Sequence, residues 1–494
     1  MSYYLAFDLG AESGRAIRGT LRDGKLTLED VHRFPNQPVA VQGTLHWDVL
    51  ALLREIRGGI RKAAMEAGEQ PAGVGIDTWG VDFGLLDEHG TLLVNPVHYR
   101  DRRTEGMIEL ACGIVPREKI YEITGIAFHP FNTLYQLMAI QRAKPRWFAA
   151  ASTLLQMPDL LSFFLCGAKT SEYTIASTSQ LLDARTRQWS DELCHALGLR
   201  RELLPPVVQP GSVKGALSEE SQRECNVGPV PVIAPASHDT GSAFAAVPAS
   251  DPEWITLSCG TWSILGVELD SPRTDPKPLA YNFANEGALE GKVRLLKNIM
   301  GLWVLQECRR IWVRAGENVD YAALVQEASC APAFAAIFDI DDPSFYAPPN
   351  MLEALASFCK RTGQKMPQER ATLVRAILEG IALRYRAVLG ELEEIIGRKV
   401  STVHMVGGGT QNKLLCQMAA DAMGRSAVAG PVEATAIGNI VMQAVGTGEL
   451  RSVSEARSLI RRSVSLEHFE PQNEEQWEET LRRYRRVCET ARKE

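Results

Sequence analysis

The chain opens with three strand-like runs joined by two tight turns, and part of that plan returns near its middle. Tyr3 to Phe7, Arg15 to Leu21 and Leu26 to Phe34 read as strands, separated by a turn over Gly10 to Gly14 and by Asp23-Gly24. Asp-Gly between two such runs favours the two-residue hairpin whose twist matches its strands. Trp254 to Gly266 again runs strand, Gly-centred turn, strand, which suggests that the second half restarts the first. At 494 residues the chain exceeds what one hydrophobic core organises, so two domains are expected. We place the boundary beside the loop 247–253, beyond the Pro-rich stretch 203–211. This gives an N-terminal domain over 1–245 and a C-terminal domain over 246–494, closed by a helix over 473–494.

Helical spacing appears between the strands. Asp48 can cap a helix whose Leu50, Leu53, Ile56, Ile60 and Ala63 share one face. The run 73–83 reads as a strand with polar residues at its end, and 367–397 as a long helix ended by Gly397. A strand over 403–406, a glycine turn over 407–409 and a helix over 412–423 follow.

Composition narrows the function. The formal net charge of −7 argues against a surface built to neutralise a nucleic acid backbone. The apolar stretch 427–445 contains Pro431, Glu433 and Asn439, so no membrane span is expected there. The 10 cysteines form no C-x-x-C pair, and the first residues carry no basic stretch; a reducing, cytoplasmic location and free thiols are expected. The four arginines at 482, 483, 485 and 486 are surrounded by acids and read as a solvated helix face.

Three apparent motifs fail on context. Gly19 to Lys25 spells a phosphate loop, but Leu26 stands where a magnesium-binding hydroxyl belongs, and the stretch is a hairpin. The glycines at 407–409 follow a strand and open a helix, but Asn412 replaces the third glycine of a dinucleotide site. Ser237, His238 and Asp239 are consecutive, and side chains that diverge cannot form a hydrolase triad.

What remains is suited to phosphate chemistry. Asp8-Leu-Gly-Ala-Glu-Ser-Gly14-Arg15 is a glycine turn whose amides can point at one anion, with a carboxylate that could hold magnesium through water; a plain hairpin with an acid at its turn is the competing reading. Ser258-Cys-Gly260-Thr261 is a second turn of this shape. Asp239 follows an apolar strand, where a general base would sit, although an acid before Thr-Gly-Ser also suits a helix cap. Asp77, Trp79 and Asp82, with Tyr99 to Arg102, resemble a sugar site and equally an ion-pair network.

These motifs, in this order, resemble the FGGY carbohydrate kinases. The resemblance rests on 8–15, 75–83, 131–137, 157–159, 236–240, 258–263, 296–303, 406–412 and 430–439, and runs from residue 4 to about 470. It implies an α/β fold of two actin-like, ribonuclease H-like (ASKHA) domains with a cleft between them, and ATP-dependent phosphorylation of a small ketose. By position it makes Asp239 the catalytic base and puts Gly80, His238, Asp239, Thr240 and Asn298 around the sugar. Ala11, Glu12, Ser13, Gly14, Arg15, Thr261, Gln306 and Gly408 would contact ATP, and Asp8 would hold Mg2+ through water. The residues around Gln136, where relatives usually have a lysine, resemble the rhamnulose branch of the family. Glu12 replaces a serine common in relatives, so its amide rather than its side chain is expected to contribute. Ala419 and Met423 stand where some relatives pair cysteines, so no disulfide is implied. The expected partners are the ketose and ATP, with no nucleic acid or membrane, and a monomer or weak homodimer. A kinase for L-fuculose or L- or D-xylulose, a chaperone-type ATPase and a non-catalytic sugar-binding regulator are the alternatives.

Overall fold

The computed structural model describes residues 2–249, 254–317 and 319–493, and the end of the expected boundary loop, 250–253, lies outside them. The chain forms two compact units. The first comprises Met1–Pro248, Glu268–Leu296 and Ala434–Ser463; the second comprises Ala249–Val267, Lys297–Glu433 and Val464–Glu494. Each unit is discontinuous in sequence. The segments 268–296 and 434–463, expected in the C-terminal domain, belong to the first unit. The helix Ala434–Gly446 packs on the helix Asp239–Ala245 so closely that a Cβ on Gly438 would lie 1.8 Å from the Ser242 carbonyl oxygen.

In the first unit a six-stranded sheet is built around Ser2–Leu9. That strand pairs antiparallel with Ser13–Arg22, which pairs antiparallel with Lys25–Pro35. Asp23 and Gly24 both have positive φ, 52° and 69°, the conformation that the two-residue turn requires. On its other side Ser2–Leu9 runs parallel to Gly73–Thr78, itself parallel to Pro231–Ile233, with Val213–Ala216 antiparallel at the edge. Phe7, Trp47, Ile56, Ile76 and Leu160 fill one core beneath it.

Two local expectations shift. Asp48 caps the helix Val49–Ala67 by accepting from the Ala51 amide at 3.1 Å, but Leu50 is 58% exposed. The buried stripe is Val49, Leu52, Ile56, Ile60 and Ala63, which begins one residue before Leu50 and so turns Leu50 off the buried face. The strand expected over 73–83 stops at Thr78 and resumes as Phe83–Leu86. Between them Val81 holds φ at 70°, unusual for a β-branched residue, with its amide donating to Thr178 Oγ1 and its carbonyl accepting from Thr133 Oγ1.

The second unit repeats the opening. Trp254–Cys259 pairs antiparallel with the start of Trp262–Leu269 and parallel with Thr402–Val406, which is followed by parallel Ser426–Ala429 and antiparallel Glu467–Phe469. The helix Arg370–Ile396 ends at Gly397, where φ is 73°. Asn412 caps the helix Lys413–Met423 by accepting from the Leu415 amide. Hairpin first and parallel strand second is the plan of both units, which gives a mixed α/β fold of two actin-like domains. No helix among the described residues is long and apolar enough to cross a membrane, and the ten cysteines stand as free thiols.

Candidate active site

The carboxyl ends of the parallel strands in the first unit gather three carboxylates. Asp8, next to last in its strand, lies directly beside Asp77 on the parallel neighbour and opposite Arg15 on the antiparallel one. Its Oδ2 accepts from Arg15 Nη2, so the arginine of the glycine turn is anchored to the acid of the same turn. Asp239 begins the helix after the third parallel strand. Ligands of open α/β sheets bind at such strand ends.

The turn that presents Asp239 is tied down on several sides. The Thr78 amide donates to the Ser237 carbonyl at 3.0 Å, the Ser237 amide to Glu172 Oε2 at 3.0 Å and the His238 amide to Thr174 Oγ1 at 3.1 Å. Asp239 Oδ1 accepts from the Thr240 amide at 2.6 Å. Burial pushes the Asp239 carboxyl up to about 6; His238 opposes that rise and Asp8 reinforces it. With 29% of its side chain still exposed, the group keeps access to a ligand.

Asp77 is fully buried. Burial, then the charge of Asp8, raises its carboxyl well above the usual range, against the hydrogen bond from Asn439 Nδ2. Its Oδ1 has no hydrogen-bond partner among the described residues. An unsatisfied carboxylate oxygen beside a second carboxylate is a hard donor set, suited to a hydrated divalent cation.

His238 faces the other side of Asp239. Its Nε2 lies 3.5 Å from Asp239 Oδ1, and its Nδ1 lies 3.0 Å from Glu286 Oε2. A Cβ on Gly80 would come within 3.3 Å of Nε2, so a side chain there would crowd the imidazole. Arg294 Nη1 donates to Thr240 Oγ1 at 2.9 Å. The first unit thus assembles Gly80, His238, Asp239 and Thr240. Asn298 lies on the strand Val293–Met300, in the second unit.

The turn 10–13 places Glu12 and Ser13 at the surface, with the Glu12 carbonyl accepting from the Asn36 amide at 3.0 Å. In the second unit the turn Ser258–Thr261 is met by two segments. The Leu302 and Trp303 amides donate to the Gly260 and Thr261 carbonyls at 3.1 Å, which seats the helix carrying Gln306. A Cβ on Gly409 would lie 2.7 Å from Cys259 Cβ, so the glycine turn carrying exposed Gly408 packs against the same place. Gln306 Oε1 is buried without a hydrogen-bond partner among the described residues.

The second acidic region resolves as structure. Asp82 Oδ2 accepts from Trp47 Nε1 at 2.6 Å, Trp79 Nε1 at 3.0 Å and the Tyr99 amide at 3.2 Å, while Oδ1 accepts from Gln136 Nε2 at 2.9 Å. A carboxylate so completely bonded is a buried tie, and Arg100 and Arg102 beside it are exposed. Sequence reasoning assigned no role to Glu172, Glu286, Arg294 or Asn439. For Asn439 the signal was a polar side chain in a mostly apolar helix; Glu172, Glu286 and Arg294 lie in short strands with other polar residues and carried none.

Residues 3–245 match the FGGY family of carbohydrate kinases, N-terminal domain, and residues 255–447 match the C-terminal domain of that family. The chain is 45% identical over 475 residues to the rhamnulokinase of Bacteroides thetaiotaomicron, covering 96% of this chain and 97% of the relative. It is 42% identical over 462 residues to the rhamnulokinase of Oceanobacillus iheyensis, covering 94% and 97%. Among solved structures it resembles ligand-bound xylulose kinase from Lactobacillus acidophilus, with a TM-score of 0.82 at 17% identity over 99% of this chain and 98% of that one.

Proposed function

The chain belongs to the FGGY family of carbohydrate kinases, and we propose on that premise that it transfers the γ-phosphoryl group of ATP to the C1 hydroxyl of L-rhamnulose. The product is L-rhamnulose 1-phosphate, formed in L-rhamnose catabolism. The observation that carries this reading is the pair of rhamnulokinases matched at 45% and 42% identity over nearly the whole chain.

Phosphoryl transfer needs in-line placement and neutralised charge more than covalent help. Asp239 accepts the C1 hydroxyl proton as the C1 oxygen bonds to the γ-phosphorus and the bond from that phosphorus to the departing ADP oxygen breaks. A carboxyl held at about 6 is ionised at neutral pH and a better base than an ordinary aspartate. Gly80, His238, Thr240 and Asn298 orient the ketose. Ala11, Glu12, Ser13, Gly14 and Arg15 receive phosphate oxygens, and Thr261, Gln306 and Gly408 supply further nucleotide contacts.

The unsatisfied Asp77 Oδ1 beside Asp8 supports a divalent cation, which Asp8 would hold through water. When bound with ATP, magnesium would offset charge on the β- and γ-phosphates. The ion pair to Arg15 keeps Asp8 in place for that role.

A coupled ADP-release assay over L-rhamnulose, L-fuculose, L- and D-xylulose, D-ribulose and glycerol tests the assignment. The highest kcat/KM is expected with L-rhamnulose. A preference for another ketose would move the protein within its family, and no turnover with any would point to a sugar-binding regulator.

A further inference from the structure

Glu286 and Arg294 face each other directly across the antiparallel strands Ala284–Gly287 and Val293–Met300. Both side chains are buried, and Arg294 Nη2 donates to Glu286 Oε2 at 3.0 Å. A buried ion pair is weak support for stability, because well-packed apolar residues of the same size serve as well or better. What an apolar pair could not supply is the third contact, from Glu286 Oε2 to His238 Nδ1 at 3.0 Å.

An ionised carboxylate only accepts hydrogen bonds. Burial would raise the Glu286 carboxyl, but His238 and Arg294 hold it below the usual range, so it is ionised and Nδ1 must carry the proton. In a neutral imidazole Nε2 is then the acceptor. That nitrogen lies on the side where Gly80 and Asp239 stand. Arg294 Nη2 comes within 3.3 Å of Nδ1 and the Thr240 hydroxyl within 3.2 Å, but the ionised Glu286 oxygen is nearer, at 3.0 Å, and an acceptor there requires Nδ1–H.

We propose that Glu286, braced by Arg294, is a positioning residue of the sugar site: it accepts from His238 Nδ1–H and thereby turns Nε2 toward the acceptor sugar as a hydrogen-bond acceptor for a ketose hydroxyl. The proposal rests on the kinase reading for its substrate, but the hold on His238 can be read without turnover.

Two measurements on the full-length protein test it. In nitrogen-15 histidine spectra, His238 is expected in the Nδ1–H form in the wild type and to lose that preference in Glu286→Gln. An Nε2–H form in the wild type, or a spectrum unmoved by the substitution, overturns the proposal. Glu286→Asp keeps a counter-charge for Arg294 but shortens the reach to His238. It is expected to raise the KM for L-rhamnulose about 10- to 100-fold with little change in the KM for ATP. In a His238→Ala background the same change is expected to cost under about twofold, because the partner it acts through is gone. An equal penalty in both backgrounds would reduce Glu286 to a counter-ion for Arg294 and overturn the proposal. If the wild type does not phosphorylate L-rhamnulose, the kinase reading fails while the spectra still decide the role of Glu286.

Discussion

Asn439 Nδ2 donates to Asp77 Oδ2 at 2.5 Å, joining residues separated by 362 positions. The same side chain is fixed in turn, because its Oδ1 accepts from Gln443 Nε2 at 2.7 Å, and Gln443 also donates to the Leu5 carbonyl at 3.1 Å. A helix from the far end of the chain therefore sets the environment of the acid beside Asp8. Replacing Asn439 by Leu removes the bond that favours ionised Asp77 and leaves a buried acceptor unpaired, at a cost of about 1–3 kcal/mol. The urea midpoint checks it: a lower midpoint is expected, with kcat falling more than the KM for ATP changes.

The carboxyl of Asp239, raised by burial to about 6, sets the acid limb of activity. A base must be ionised, so kcat is expected to fall about tenfold per pH unit below 6 and to level off above it. The effect on stability has its own sign. The folded-state value lies above the ordinary 3.8, so the folded protein binds more protons than the unfolded chain between 3.8 and about 6, and this group's contribution to stability declines as pH rises through that window. Asp82, also raised to about 6 by burial, acts in the same direction. Activity should therefore rise with pH across a range in which these two groups make the fold less stable, as paired rate and denaturation profiles would reveal.

Gly409 sits where a Cβ would meet Cys259 Cβ at 2.7 Å and the Cys259 carbonyl oxygen at 2.9 Å. Alanine there must push the glycine turn away from the turn Ser258–Thr261. We expect Gly409→Ala to raise the KM for ATP about tenfold or more through misplacement, with a smaller effect on the KM for L-rhamnulose. Initial-rate measurements with each substrate varied in turn separate the two.

The elements with local signatures were readable from the residues alone. Asp23-Gly24 specified its hairpin, Asp48 its helix cap and Gly397 a helix end, because each of these devices acts within a few residues. The place of Asp8 near the end of an apolar strand was readable for the same reason. Leu50 was misassigned because several adjacent leucines fit a helical stripe almost equally well, and only packing selects one. The shared unit of 1–248 and 434–463 was invisible, since it depends on how closely Gly438 approaches Ser242. Glu286 and Arg294 gave no warning either: two opposite charges eight residues apart become a cross-strand pair only when the register is known.

The role of Asp239 is tested most directly by single-turnover formation of L-rhamnulose 1-phosphate by Asp239→Asn, with ATP binding measured on the same preparation. A rate lower by about 10² to 10⁴ with nucleotide affinity intact is expected. A variant that binds ATP normally and keeps more than about a tenth of the wild-type rate would contradict it.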